Sequence, residues 1–152
     1  MGEDCWQGLR WRAPSLAKLT ALTSFHIGGW CWEIYDEQME EISKLTALTY
    51  IQLECWWNLE QGTDAMLLTF ASRLPGLTHL HLSGGNHMAS NDGLHAIASL
   101  TALTELHLEH FHGVTDEGVE TLNSLTALKS LNLTGCPNVS QEAIAALRLA
   151  LD

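Results

Sequence analysis

Chemistry-bearing side chains concentrate in two short stretches of the 152-residue chain, His79-Leu80-His81 and Glu105-Leu106-His107-Leu108-Glu109. In both, titratable residues alternate with leucine, and an extended backbone would turn them all to one side. Imidazole beside carboxylate suits zinc or a similar divalent ion, with His79, His81, Glu105 and His107 as the candidate ligands. The same mixture would titrate near neutrality and make a pH-sensitive surface. It is equally what a hydrated polar face displays, because a carboxylate favours the protonated form of a neighbouring imidazole. A catalytic reading has little to build on. The chain has no G-x-S-x-G elbow, no phosphate-binding glycine loop and no H-E-x-x-H, and no Ser or Cys stands in a nucleophile's context. A His and Glu pair could imitate a general base and its orienting carboxylate, but an open sheet has no means of excluding water. The expectation is therefore not an enzyme.

The elements that carry these residues follow from an internal repeat. Leu-Thr-Ala-Leu begins at Leu19, Leu45, Leu100 and Leu125, with Leu-Pro-Gly-Leu at Leu74, at intervals of 26, 29, 26 and 25 residues. After each comes an alternating apolar and polar run, such as Thr78-His79-Leu80-His81-Leu82 and Thr104-Glu105-Leu106-His107-Leu108. Such alternation predicts a short strand with one buried side. A turn and an amphipathic helix follow, with inward pairs Met39 and Ile42, Leu67 and Phe70, Leu94 and Ile97, Val119 and Leu122, and Ile144 and Leu147. Asp36, Asp64, Asn91, Thr115 or Asp116, and Ser140 are the predicted helix caps. A strand of four or five residues and a helix of two or three turns cannot enclose a core, so the units must stack.

The chain thus resembles a leucine-rich repeat protein over Leu16 to Leu147. Its fourth and fifth units resemble the cysteine-containing subclass, through Leu103, Leu106, Leu108, Val114, Thr115, Asp116 and Gly118, then Leu128, Leu131, Leu133, Cys136, Val139 and Ser140. Trp30, Trp56, Gly85 and Phe111 stand where Cys136 does in the other units. The resemblance implies an α/β right-handed solenoid, or horseshoe, with a parallel sheet on the concave face and helices on the convex face. That subclass commonly supplies the substrate-recognition part of F-box ubiquitin ligases; no F-box bundle occurs in this sequence. Residues 1–18 are expected to form an N-terminal cap and half repeat containing Trp6, Leu9 and Trp11. Residues 19–152 would hold five repeats starting at 19, 45, 74, 100 and 125. The apolar last helix, Ala145 to Leu151, has no polar cap after it, which suggests part of a larger protein or an edge that meets a partner.

Stacking the strands in this alignment makes three outward columns. The first is Ser24, Tyr50, His79, Glu105 and Ser130; the second is His26, Gln52, His81, His107 and Asn132; the third is Gly28, Glu54, Ser83, Glu109 and Thr134. None contains Lys or Arg. With Trp32 and Trp57 at the N-terminal rim, beside Tyr50 and near the expanded loop at Asn58 to Thr63, these columns form the expected partner-binding surface, centred on Tyr50, Gln52, Glu54, His79, His81, Glu105, His107, Glu109 and Asn132. Exposed aromatics are favoured interface anchors.

The bulk properties agree with a binding module. Seven Lys and Arg against 18 Asp and Glu give a net charge of -11, unfavourable for nucleic acid or an anionic membrane surface. No stretch approaches the roughly 20 apolar residues that span a bilayer. No apolar leader follows Met1, so a cytoplasmic, reducing compartment is expected. Cys5, Cys31, Cys55 and Cys136 are widely spaced and lack C-x-x-C pairs, which argues against a disulfide framework. The sequence thus predicts a scaffold or recognition module for a basic or polar protein or peptide, with no cofactor unless the histidine cluster takes zinc.

Overall fold

A computed structural model describes residues 16–57, 62–83 and 89–151, with backbone alone for residues 17, 29–33 and 55–57. Five strands form one parallel sheet in chain order: β1 (Ser24–Ile34), β2 (Tyr50–Trp57), β3 (His79–Ser83), β4 (Glu105–Leu108) and β5 (Ser130–Asn132). Between them and after β5 come the helices α1 (Asp36–Ser43), α2 (Thr63–Arg73), α3 (Asn91–Ile97), α4 (Asp116–Thr121) and α5 (Gln141–Leu151). Among the described residues a 3-10 turn, Leu16–Lys18, precedes β1, and another, Leu122–Ser124, continues α4. The fold is α/β, and each helix packs on the helix of the next repeat. Trp6, Leu9 and Trp11 lie outside the described residues, as do Gly85 and most of the expanded loop after β2.

Alternation along the strands divides the two faces as expected. In β3 and β4, Leu80, Leu82, Leu106 and Leu108 are buried, whereas the intervening polar residues are half-exposed. The inward helix residues Met39, Ile42, Leu67, Phe70, Leu94, Ile97, Val119 and Leu122 join the same core; Ile144 is only partly buried and Leu147 fully. Phe111 and Cys136 share one place in successive repeats, and both are buried. The Cys136 thiol donates to the Leu108 carbonyl at 3.4 Å, and burial pushes its pKa up, which keeps it protonated and a poor nucleophile. It is a free cysteine.

Backbone register is set by two ladders between repeats. The first runs through the threonine before each strand. The Thr78 carbonyl accepts from Thr104 N at 2.8 Å, Glu105 N at 3.1 Å and Thr104 Oγ1 at 3.1 Å. Thr49 O plays the same part toward Thr78 and His79. The turn ahead of it is closed by a bond from the last to the first leucine of each Leu-Thr-Ala-Leu, for example Leu103 N to Leu100 O at 2.9 Å.

The second ladder corrects the expected helix caps. Asp36, Asp64, Asn91 and Asp116 do not cap their own helices; they lie inside the first turn, and the residues before the helices are Tyr35, Gly62, Ser90 and Thr115. Asp64, Asn91 and Asp116 reach into the next repeat. Asp64 accepts from Ser90 N at 2.9 Å and Ser90 Oγ at 2.6 Å, and Asp116 does the same for Ser140 at 2.6 and 2.8 Å. Asn91 accepts from Thr115 N at 3.0 Å and donates to Thr115 Oγ1 at 2.9 Å. An acid or amide at this position thus satisfies an otherwise orphaned N–H at the neighbouring helix start. The glycine two residues further on has a matching purpose. A Cβ on Gly118 would stand 2.3 Å from Asn91 Oδ1, and one on Gly93 would stand 2.5 Å from Asp64 Oδ1.

Strand lengths also depart from expectation. β1 has 11 residues and β2 has 8, because the chain stays paired beyond the columns, with Glu33 opposite Trp56 and Ile34 opposite Trp57. Between Gly28 and Glu33 the register shifts, so Trp32 lies in an irregularity of the strand.

The clamp and its glycine are separable by mutation. Gly118→Ala is expected to destabilise by about 1–3 kcal/mol through overpacking, and Asn91→Ala by about 1–2 kcal/mol through its lost hydrogen bonds. The double variant should cost less than the sum, since truncating Asn91 makes room for the new methyl. Urea unfolding of the four proteins measures this; strict additivity would refute the coupling.

Candidate functional site

The three columns assemble in the expected register. Tyr50, His79 and Glu105 are lateral partners with Ser24 and Ser130 at either end. His26, Gln52, His81, His107 and Asn132 form the second row, and Gly28, Glu54 and Ser83 the third. Glu109 follows β4 directly, its N–H bonded to Leu82 O at 2.9 Å, and its carboxylate accepts from Ser83 Oγ at 3.0 Å and Asn132 Nδ2 at 2.9 Å. Asn132 Oδ1 in turn accepts from Thr134 N at 3.0 Å and Thr134 Oγ1 at 2.6 Å. On β2 the Tyr50 hydroxyl donates to Gln52 Oε1 and the Gln52 amide donates to Glu54. The face is therefore braced by its own hydrogen bonds both along and across the strands. Trp32 and Trp57 are placed by backbone only, at the rim of β1 and β2; their side chains lie outside the described residues.

At the centre the two second-row histidines stack. The His81 and His107 rings are 4.1 Å apart between centroids and 9° from parallel. Tyr50 closes the other side, its ring 5.5 Å from His79 and 5.5 Å from His81, the latter edge-on. Glu105 sits between the rows, 3.5 Å from His79 Nε2 through Oε1 and 3.3 Å from His81 Nε2 through Oε2. His79 is otherwise engaged by Thr78 Oγ1 at 2.8 Å from its Nδ1, and His107 Nε2 faces Ser130 Oγ at 3.1 Å.

Exposure is graded across the cluster. The side chains of His79 and Glu105 are 34% and 38% exposed, whereas that of His81 is 19% exposed and its Nε2 is sealed from solvent. The Glu105 contact to that nitrogen is close enough for charge attraction but does not form an aligned hydrogen bond. His81, Glu105 and His107 each offer a donor atom, and these three lie within 4.8 Å of one another. His79 is not one of the three: its Nε2 lies 3.5 Å from Glu105, but its ring centroid is 6.5 Å from that of His81, in the outer column.

Burial lowers the His81 pKa from 6.5, the stacked His107 lowers it further, and Glu105 pulls against both. Lys44 and Arg73 pair with Glu41 and Glu40 at helix ends, at 2.6 and 2.7 Å.

No protein-family profile and no curated protein sequence matches the chain. Among solved structures, an internalin from Listeria monocytogenes strain 4b F2365 superposes on 87% of this chain with a TM-score of 0.64 at 22% identity. The fold is a leucine-rich repeat fold. The matched part is 34% of the internalin chain, so this chain spans about a third of that protein.

Stacking of His81 on His107 was not readable from the sequence, although their lateral pairing was; nor were the Ser83, Ser130 and Thr78 contacts that hold the charged residues. A repeat alignment identifies neighbours but leaves each side-chain torsion open.

The sign of the pH effect follows from the lowered His81 pKa. The unfolded chain takes up this proton first, so the folded state loses stability as the pH falls from 6.5 through the lower folded value. An NMR titration of the His81 ring should give a midpoint below 6.5. His107→Asn should raise that midpoint and Glu105→Gln lower it; a midpoint at or above 6.5 in the parent protein would contradict the burial described.

Proposed function

We propose that the chain is a protein-recognition module that binds a basic or polar protein or peptide segment on the open face of its sheet. The observation that carries this reading is the composition of the three columns: Glu54, Glu105 and Glu109 with Tyr50 and three central histidines, and no Lys or Arg. A ligand with positive or hydrogen-bond-donating groups meets complementary potential there, which favours fast and selective encounter. The face is also preformed, since Glu54, Glu109 and Asn132 are already held by neighbours, and little ordering remains to be done on binding. A recognition role rather than catalysis is supported by the half-exposed state of the central His and Glu side chains on an open surface.

In this reading the stack curves into a horseshoe with the columns on its concave side, and the Trp32 and Trp57 rim extends the surface toward the N-terminus. The buried Cys136 and the Thr115-Asp116-x-Gly118 turn support the cysteine-containing subclass, and with it a role as a substrate-recognition or scaffold part of a larger protein or complex. A free buried thiol fits the cytoplasm. Among the described residues no helix is long and apolar enough to cross a membrane.

Peptide display against the intact chain tests the proposal. Selected peptides should be rich in Arg and Lys, and their affinity should fall with added salt. Glu54→Gln combined with Glu109→Gln should weaken them by about tenfold, on the order of 1.4 kcal/mol, with the melting temperature nearly unchanged. Peptides that bind the double variant as well as the parent would place recognition on another surface.

A further inference from the structure

We infer that His81, Glu105 and His107 form a binding site for one divalent transition-metal ion of the zinc class. This goes beyond partner recognition and does not depend on it. The first observation is convergence: one donor from each residue lies within 4.8 Å of the other two, on adjacent strands whose spacing is fixed by the backbone. The second is an orphaned atom. His81 Nε2 is shielded from solvent and its nearest polar neighbour, Glu105 Oε2 at 3.3 Å, is not aligned as a hydrogen-bond partner, an incompletely satisfied state for a polar nitrogen that a metal bond would relieve.

The donor set selects the ion. Two imidazoles and one carboxylate suit zinc, nickel or copper and are poorly matched to magnesium or calcium, which prefer all-oxygen shells. Three protein ligands leave a fourth tetrahedral position for water. Bonds of about 2.0–2.2 Å require the donors to draw closer than they stand now, and the parallel rings must tilt out of their stack to aim at a common point. Glu105 is free to swing, being 38% exposed. Ser130 Oγ, 3.1 Å from His107 Nε2, and Tyr50, whose ring lies edge-on to His81, bound the surroundings that orient the rings. Glu109 is committed to Ser83 and Asn132, and His79 is not among the residues whose donors converge, so neither is assigned as a ligand.

Titration of the metal-free intact chain with zinc chloride, in competition with a chromophoric chelator, tests the site. One zinc per chain is expected, with no competition from magnesium in excess. His81→Asn and His107→Asn should each weaken zinc by more than about tenfold, a loss that changes beyond the ligands themselves already produce; His26→Asn, two strands away, should leave affinity unchanged. If a variant fails to fold, NMR of the parent decides, with zinc shifting the ring signals of His81 and His107 and leaving those of His26 and His95 in place. Absence of stoichiometric binding, equal affinity in the His81 and His107 variants, or shifts confined to other histidines would each overturn the assignment. Loss of peptide binding in the Glu54 and Glu109 double variant leaves this result untouched, since neither residue is a ligand.

Discussion

The parallel hydrogen-bond ladder from one repeat to the next is the constraint on which the other features depend. A single repeat holds one short strand and one short helix and encloses nothing, so its leucines are buried only when neighbours sit in register. Thr49 and Thr78 lock that register at the strand starts, each carbonyl collecting the next strand's amides and threonine hydroxyl. Asp64, Asn91 and Asp116 lock it at the helix starts. A one-residue slip of β4 against β3 would turn Leu106 and Leu108 outward and the Glu and His residues into the core. Burial and hydrogen bonding therefore enforce the same alignment.

That alignment has an electrostatic consequence on the open face. Adjacent parallel strands lie about 4.8 Å apart, so His81 is held against His107 whether or not their charges agree. Stacking shields the rings from water and disfavours a second positive charge, while Glu105 supplies the opposing negative one. The result is a cluster kept together by the scaffold rather than by its own attraction.

Much of this was legible in the sequence, for identifiable reasons. A period-2 pattern repeated at intervals of 25 to 29 residues specifies which residues face out and which are lateral neighbours, and the three columns emerged in the anticipated order. Thr115 and Ser140 stand at their helix starts as expected, whereas Asp64 and Asn91 were misassigned because they have the side chains of caps, yet their oxygens serve the following repeat, a choice that depends on spatial rather than chain proximity. For the same reason Gly93 and Gly118 look like ordinary helix-start residues until the neighbouring Asp and Asn oxygens are seen against them. The register shift in β1 after Gly28 belongs to the same class: the Gly29 to Trp32 segment departs from the repeat, and no second copy exists to align it with.

By itself the sequence determined the repeat, the inward leucines and the acidic, histidine-rich and cation-free character of one face, since each depends only on residue type and spacing. Tertiary structure decided which members of that face act together. It separated His79 from the His81, Glu105 and His107 group, stacked two rings and sealed one nitrogen from water. Those outcomes rest on side-chain torsions and on contacts across repeats, which a linear pattern leaves free and only packing resolves.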